Sequence, residues 1–577
     1  MPAMTEHEVL IVGAGPVGLT LALDLAWRGI DVTVVETRAR AAPPEPKCNH
    51  VAARTMEIFR RLGVADQVRN AGLPADYPHD ISYRTSFTGA ELTRIEIPCR
   101  RDRFTRKDGP DCNWPTPEPP HRINQIFLEP ILFEHAAAQG RIRIVNRTSA
   151  EDVKVEETSA SLALRDLDSG AVRRTNCRYL IGCDGARSIV RKAVGAELTG
   201  DAVVQRVQST FIRAPGLIDR QRHERAWGTG VINPRRAGMV YAIDGSERWL
   251  VHNYMKPGEG DFETVDRDAS IRTILGVDAD FRYDIISKED WYGRRLVADR
   301  FRDRCAFIAG DAAHIWVPYA GYGMNAGIAD AMNLSWLLAA HLNGWAPSSI
   351  LDAYEAERWP ITSQVSRFAM SHAEAEIRRR GAIPDQIEDA GPAGEAARRE
   401  IGHRTYEINV QQYACAGLNF GSYYDRSPII AYDGAEHPAY TMSSYTPSTV
   451  PGCRTPHLWC DDGRSLYDAM GPEFTLLRFD PAIDAAPLER AARERGVPLR
   501  VLDLQRPKAA TYYGGGLVLS RPDQHVAWRG DKLPADSLAL VDRVRGAASQ
   551  GSEARSGHAR PLAQSSFAAI DSIKDTS

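Results

Sequence analysis

The sequence predicts a mixed α/β and α+β fold: a parallel-sheet domain interleaved with a β-sheet domain, then a compact C-terminal α/β domain. Three observations carry this. Strand, glycine turn, helix and strand follow one another from Glu8 to Glu36, the opening of a parallel sheet. Two later apolar strands, Tyr179–Cys183 and Cys305–Ala309, each run into another glycine turn, and alternating strand patterns fill the interval between them. Beyond about Tyr432, strands and helices alternate again within a short span.

Each element follows from local pattern. Glu8–Val12 is a short apolar strand, Gly18–Arg28 a helix, and Ile30–Glu36 a β-branched strand. Met56–Leu62 and Asn124–Gln139 read as helices. Arg141–Asn146, Val153–Glu157, Ser161–Asp166 and Val172–Asn176 alternate like an antiparallel meander, turned at Asp168-Ser169-Gly170. Val203 to Tyr283 is strand-like throughout, with a hairpin of Gly238–Ile243 and Arg248–Tyr254 about Asp244-Gly245-Ser246. Long helical patterns cover Asn325–His341 and Leu351–Arg378. A Pro-, Gly- and Ala-rich stretch, Ala382–Ala397, reads as a domain boundary. The last unit reads strand Thr475–Phe479, helix Pro487–Arg495, strand Leu499–Leu502, and a hairpin of Gly516–Ser520 with His525–Trp528. The tail from Ala547 is polar and is expected to be disordered.

Composition narrows the function classes. The 71 basic and 75 acidic residues give a net charge of −4, so nothing points to nucleic acid or an anionic membrane as partner. No apolar run approaches the roughly 20 residues of a membrane helix. The start, Met1 to Glu8, has no secretory pattern, and the nine cysteines stand singly. Reduced thiols and a cytoplasmic location are the expectation. Scattered histidines show no metal-ligand spacing, and no Ser/His/Asp arrangement competes for the site.

The chemistry begins at Gly13-Ala14-Gly15-Pro16-Val17-Gly18. Gly13 makes the tight turn, Gly15 lets a pyrophosphate approach the backbone, and Gly18 packs helix on strand. Glu36, with Thr37 and Arg38 beside it, ends the second strand where a carboxylate can accept from ribose hydroxyls. FAD and NAD both remain open at this step. Two later turns narrow the choice: Cys183-Asp184-Gly185-Ala186-Arg187-Ser188 and Gly310-Asp311-Ala312-Ala313-His314, each after a buried strand.

The ordered set GxGxxG, DG and GD resembles the FAD-dependent aromatic hydroxylases, single-component flavoprotein monooxygenases that include para-hydroxybenzoate hydroxylase and phenol hydroxylase. The resemblance runs from about Glu8 to about Arg378. It implies a Rossmann-like FAD-binding domain interleaved with a β-sheet substrate domain. The corresponding layout gives 1–80, 116–200 and 291–400 to the FAD-binding domain, and 81–115 and 201–290 to the substrate domain. Residues 401–546 form the C-terminal domain and 547–577 the tail.

By the same resemblance Asp311 bonds a ribityl hydroxyl of FAD, although an aspartate there also suits a helix cap. Asp184 and Gly185 lie near the flavin and the bound pyridine nucleotide. Pro318-Tyr319-Ala320-Gly321-Tyr322-Gly323-Met324-Asn325 matches the flavin loop. Gly321 and Gly323 there admit the isoalloxazine edge, and the helix starting near Met324 and Asn325 supports negative charge on reduced flavin. The Pro318 carbonyl matches the position beside the reacting oxygen. Lys47 stands where the family has an arginine on the FAD phosphates, so a charge is kept and a bidentate fork lost. Gln125 matches a glutamine near the flavin. The C-terminal region resembles the thioredoxin-like domain of phenol hydroxylase relatives, without CxxC, and is expected to serve packing or homodimer contacts.

The implied reaction is monooxygenation of a small aromatic substrate. NADH or NADPH reduces FAD, O2 forms a flavin C4a-hydroperoxide, and one oxygen atom passes to a phenolic ring. There is no second GxGxxG, in keeping with transient nicotinamide binding in a surface cleft. Candidates for contact with the phenol, or for its base, are Tyr241, His252, Tyr254, Trp291, Tyr292 and His314. Two alternatives stand beside this reading. One keeps the flavin for Baeyer–Villiger oxidation or epoxidation of a polyketide-like substrate. The other is a non-catalytic binding protein like the Rab GDP-dissociation inhibitors.

Overall fold

A computed structural model describes residues 6–505 and 512–548; most of the tail expected to be disordered lies outside them. The N-terminal sheet has the order Arg302–Asp303, Ala306–Ile308, Val172–Gly182, His7–Val12, Val32–Val35, Ile142–Val145. Its central strands are parallel and their side chains are buried on both faces. Ile142–Val145 corrects the expected meander: it pairs parallel with Val32–Val35, in register Val32 to Ile142. The Gln125–Ala137 helix precedes it, and a crossover helix returns the chain in the same direction. The meander is therefore three strands, Thr148–Val155, Ala160–Asp166 and Val172–Gly182. Val172–Asn176 and Tyr179–Cys183, read as separate, are parts of one strand whose first half serves the meander and whose second half serves the parallel sheet.

The second sheet has nine strands. Its path runs His314–Ile315, Trp291–Ala298, Leu198–Arg213, Arg248–Tyr254, Gly238–Ala242, Gly228–Val231, Ile81–Arg84, Glu91–Ile95, with Asp284–Lys288 paired to Leu198–Arg213. The hairpin forms as expected, its turn held by Asp244 Oδ1 accepting from the N–H groups of Ser246, Glu247 and Arg248. Not all of Val203 to Tyr283 is strand. Arg267–Leu275 is a helix, capped by Asp266 accepting from Ala269 N–H at 3.0 Å and ended by Gly276 at φ 70°.

Of two long helices, Gly323–Leu342 packs on the Pro16–Trp27 helix and the Gly310 turn, and Ala353–Arg380 lies along Trp291–Ala298 of the nine-stranded sheet. The stretch read as a boundary leads into a third, Pro392–Tyr413. A Cβ at Gly402 of that helix would meet the Leu92 carbonyl oxygen at 2.2 Å, so the helix lies directly on the edge of the nine-stranded sheet. The last sheet has the order Leu499–Asp503, Phe474–Arg478, Leu517–Ser520, Val526–Gly530. The first pair is parallel around the Ala486–Glu494 helix and the others are antiparallel, which is the thioredoxin-like arrangement. Its Phe474 meets Trp336 and Trp345 edge-on, and buried Arg521 holds Glu357 through bonds of 2.6 and 2.8 Å. The domain is thus joined to the long helices through a shared core.

Candidate active site

The phosphate turn is shaped by contacts rather than by composition. Gly13 takes φ 104°, and its N–H donates to the Val35 carbonyl at 2.8 Å. A Cβ there would meet the Cys183 carbonyl oxygen at 2.4 Å, and one on Gly18 the Gly13 oxygen at 2.1 Å. At Gly15 a Cβ would meet nothing within 4 Å. Helix Pro16–Trp27 has no side-chain cap and no acid in its first turn. Pro16 and Val17, expected in the turn, already belong to this helix, because proline is preset for the first helical position. The turn therefore presents open space in front of an uncapped helix end, the arrangement that accepts a phosphate.

Glu36 Oε2 accepts from Ala14 N–H at 2.8 Å, and Oε1 from Arg38 N–H at 2.9 Å. Burial pushes this carboxyl up, but the hydrogen bonds from Arg38 outweigh it and hold the group below its ordinary range. Arg38 Nε and Nη2 sit at 3.3 and 3.4 Å from Glu36, while Nη1 holds Glu129 at 2.6 Å. Thr37 Oγ1 donates to Glu36 at 3.2 Å.

Asp311 is the one exposed residue in a buried run from Cys305 to His314. It lies in a single 3₁₀ turn, Gly310–Ala312, and does not cap a helix. Its carboxylate makes no hydrogen bond among the described residues. The surrounding protein pushes it above the ordinary carboxylate range, against the pull of His314 and Lys47. Lys47 itself is exposed and ion-paired to Glu289. Gln125 donates from its side chain to Glu129 at 2.8 Å, and its N–H meets the Lys47 and Cys48 carbonyls. Asp184 is engaged locally, accepting from Ser188 Oγ at 2.5 Å and Ile189 N–H at 2.7 Å. A Cβ at neighbouring Gly185 would meet nothing within 4 Å.

The loop ends at the uncapped N-terminus of Gly323–Leu342, where Gly323 also faces open space. Pro318 is exposed and its carbonyl accepts from Gly321 N–H at 3.2 Å. The Asn325 side chain is not available to a ligand. It accepts from Ala52 N–H and Thr55 Oγ1 and donates to the carbonyls of His50 and Gly321, pinning the loop to the start of the Ala53–Arg61 helix. Gly321, at φ 60°, lies against the His50 ring.

Register assembles the opposite wall. Tyr241, His252, Tyr254 and Trp291 alternate onto one face of the nine-stranded sheet, with Gln205 and Tyr83. Gly228 and Gly230 leave room there: a Cβ on Gly230 would meet the Tyr83 ring at 2.5 Å. Rings follow one another from Trp227 to Tyr241 at 5.2 Å, to His252 at 5.7 Å, to Trp291 at 5.9 Å. Burial lowers His252 to about 4, so it is neutral at pH 7. The loop's Tyr319 hydroxyl reaches Gln205 at 3.3 Å, and Arg380 lies 4.3 Å over the Tyr254 ring.

The FAD binding domain family matches residues 6–369, and the C-terminal family of aromatic-ring hydroxylases matches residues 448–548. The chain belongs to the FAD-dependent aromatic-ring hydroxylases. A phenol 2-monooxygenase of a Pseudomonas species is 30% identical across 94% of this chain and 93% of its own length. A tetracenomycin B2 monooxygenase-dioxygenase of Streptomyces olivaceus is 30% identical across 93% of this chain and 98% of its own. The solved structure of the rebeccamycin biosynthetic enzyme RebC with reduced flavin is 34% identical, with a TM-score of 0.85 over 94% of this chain and 99% of that one. The hydroxylase is an enzyme that uses FAD with NAD(P)H as reductant, and the residues present fit that cofactor. Open space before Gly15, an Asp311 carboxylate with no hydrogen bond among the described residues, and two helix ends without side-chain caps suit a ligand that carries phosphates, hydroxyls and a ring. Among the described residues no helix is long and apolar enough to cross a membrane, and no cluster of ligating side chains could hold a metal.

Two expected contacts of the hydroxylase do not converge on its site. His314 is buried, stacked on Trp316 at 4.6 Å, with Nε2 on Asp330 at 2.7 Å; Asp330 in turn holds Arg358 at 2.9 Å. Strand alternation turns this histidine into the core, where it supports the Gly310 turn through Asp330 and cannot act as a base. Tyr292 is 49% exposed on the other face, beside Phe262. Sequence reasoning missed His50, Arg122, Tyr319, Arg380 and Tyr413, all gathered between loop and sheet. The only signal was position: Tyr319 lies inside the recognised loop, and Arg122 stands three residues before Gln125.

Proposed function

We propose that the chain hydroxylates a phenolic ring held between the Pro318–Asn325 loop and the aromatic face of the nine-stranded sheet, with one atom of O2 entering the product. The observation that carries this reading is the run of rings from Trp227 through Tyr241 and His252 to Trp291, set opposite a flavin loop. Flat apolar walls with few polar groups suit an aromatic guest. The named activity of the phenol 2-monooxygenase relative agrees with it.

When bound, FAD supplies oxygen activation and transfer. The chain's own residues hold the ring and exclude water. Tyr241 and Trp291 offer edges and faces to the guest, and neutral His252 accepts a hydrogen bond instead of carrying charge. Tyr319, fixed by Gln205, closes the loop side. The test is NADH and NADPH oxidation by the yellow holoenzyme against a panel of phenols, with product mass and structure. A ring carrying one added oxygen is expected, with faster nicotinamide oxidation when the phenol is present. If no phenol gains oxygen and none speeds that oxidation, the reading fails. An ester or epoxide of the same added mass would move it to Baeyer–Villiger oxidation or epoxidation.

A further inference from the structure

We infer that Arg122 and His50 form an oxyanion anchor for the substrate, holding a negatively charged oxygen borne by the ring. The inference rests on the aromatic-guest reading above. Arg122 is 3% exposed, and its guanidinium lies 5.2 Å over the Trp227 ring and 5.8 Å over the Tyr413 ring. Its Nη1 meets His50 Nδ1. Arginine can only donate, so Nδ1 is the acceptor and the His50 proton sits on Nε2. Among the described residues that nitrogen has no partner, and neither Nε nor Nη2 of Arg122 donates a hydrogen bond. Three buried donors are therefore left without acceptors in one cluster.

Charge repeats the pattern. Asp111 lies 3.5 Å from Arg122 Nη2, but it accepts from Arg103 and from the Trp114 indole, both at 2.7 Å. One carboxylate serves two buried guanidiniums. Arg358 and Arg521, equally buried, each hold a carboxylate by direct hydrogen bonds. Burial lowers Arg122 to about 10, so it stays charged at pH 7. A buried cation with unused donors calls for an anion.

The location fits a ring oxygen. The His50 ring lies under Gly321, its carbonyl accepts from Asn325 at 3.1 Å, and Trp227 begins the run of rings on the sheet. The anchor takes up the oxyanion from solution, so the proton is left in solvent. The bound ring is then the electron-rich form that accepts oxygen more readily.

The anchor is tested by equilibrium titration of the holoenzyme with 4-nitrophenol, whose ionisation is read from its own absorbance, with 4-nitroanisole and with 4-nitrobenzoate. The other titratable groups facing Arg122 are Asp111, Arg103, Tyr413, Tyr241 and Cys415. Asp111 is pushed up to about 6 by burial, so titrations run from pH 7 upward. The wild type is expected to bind 4-nitrophenol as the phenolate, with its ionisation moved down by about one unit, a tenfold effect. Arg122→Gln should weaken phenolate binding about 10- to 100-fold, leave the methyl ether within about twofold, and abolish the ionisation shift. Arg122→Lys should restore part of it, and flavin content with thermal unfolding shows that each variant is folded. If 4-nitrobenzoate and not the phenolate responds, the anchor stands and its guest is a ring carboxylate. Equal binding of both oxyanions by wild type and Arg122→Gln overturns the anchor. The hydroxylase reading fails separately, on the absence of oxygenated product.

Discussion

Two glycines five residues from the start of the phosphate turn or closer should respond in opposite ways to one added methyl. Gly15 has φ −75° and ψ 179°, open to any residue, and its added Cβ would meet nothing within 4 Å. Gly15→Ala should change the stability of flavin-free protein by no more than about 0.5 kcal/mol. Gly18 would bring its Cβ to 2.1 Å from the Gly13 oxygen and 3.3 Å from the Cys183 side chain. The first of these is backbone held by the strand, so helix and strand must separate, at a cost of about 1–3 kcal/mol or more. For FAD the order reverses, because the Gly15 methyl stands where a phosphate oxygen approaches. Losing one charge-assisted hydrogen bond is worth about 1.5–3 kcal/mol, or about 10- to 150-fold in Kd. Urea unfolding of flavin-free protein and FAD titration followed by quenching of flavin fluorescence measure the two effects. Gly15→Ala binding FAD like wild type, or unfolding as early as Gly18→Ala, would refute the reasoning.

Asp311→Asn should weaken FAD by a similar factor, about 10- to 150-fold, without lowering the stability of flavin-free protein, since the carboxylate has no hydrogen bond among the described residues and its charge is disfavoured where it lies. A drop in that stability would show that Asp311 is structural. Arg358→Met leaves Asp330 buried with His314 and the Gly310 N–H but without its arginine, and should cost about 3–5 kcal/mol in urea unfolding; a loss under about 1 kcal/mol would mean that those two partners suffice. Asp24 gives the acid limb. Burial opposes its charge, but Arg61 and Arg28 hold it at about 2 against 3.8. A lowered carboxylate stabilises above its unfolded value, so about 2 kcal/mol is present above about pH 4 and is lost as pH falls toward 2. Asp24→Asn should flatten stability between about pH 5 and about pH 3, and an unchanged slope would remove Asp24 from the account.

The cofactor half of the site was legible because its requirements are local. A pyrophosphate needs small residues at fixed spacing, and Gly13, Gly15 and Gly18 state that within six positions. Asp311 was singled out by the family resemblance, and its exposure within a buried run appears only in the structure. The parallel placement of Ile142–Val145 was not, because alternation describes one strand and the partner's direction depends on the helix before it. His314 misled because proximity to the Gly310 turn does not say which way a side chain points. The guest wall was half legible. Tyr241 and His252 lie on strands that could be read and Trp291 on one that was not, and their shared face depends on a register spanning residues 205 to 293. Arg122 and His50 gave no pattern at all, since nothing local marks a charged residue for burial.

The same positions explain why the two halves cannot be assigned to separate domains. Asn325 lies in the first turn of the Gly323–Leu342 helix, yet its side chain is bound to Ala52, Thr55 and the His50 carbonyl. His50 packs under Gly321 and meets Arg122, whose guanidinium rests on Trp227 of the substrate sheet. The loop, His50, Arg122 and Trp227 thus form one continuous set of packed contacts, so neither half of the candidate site can be assigned to one sheet alone.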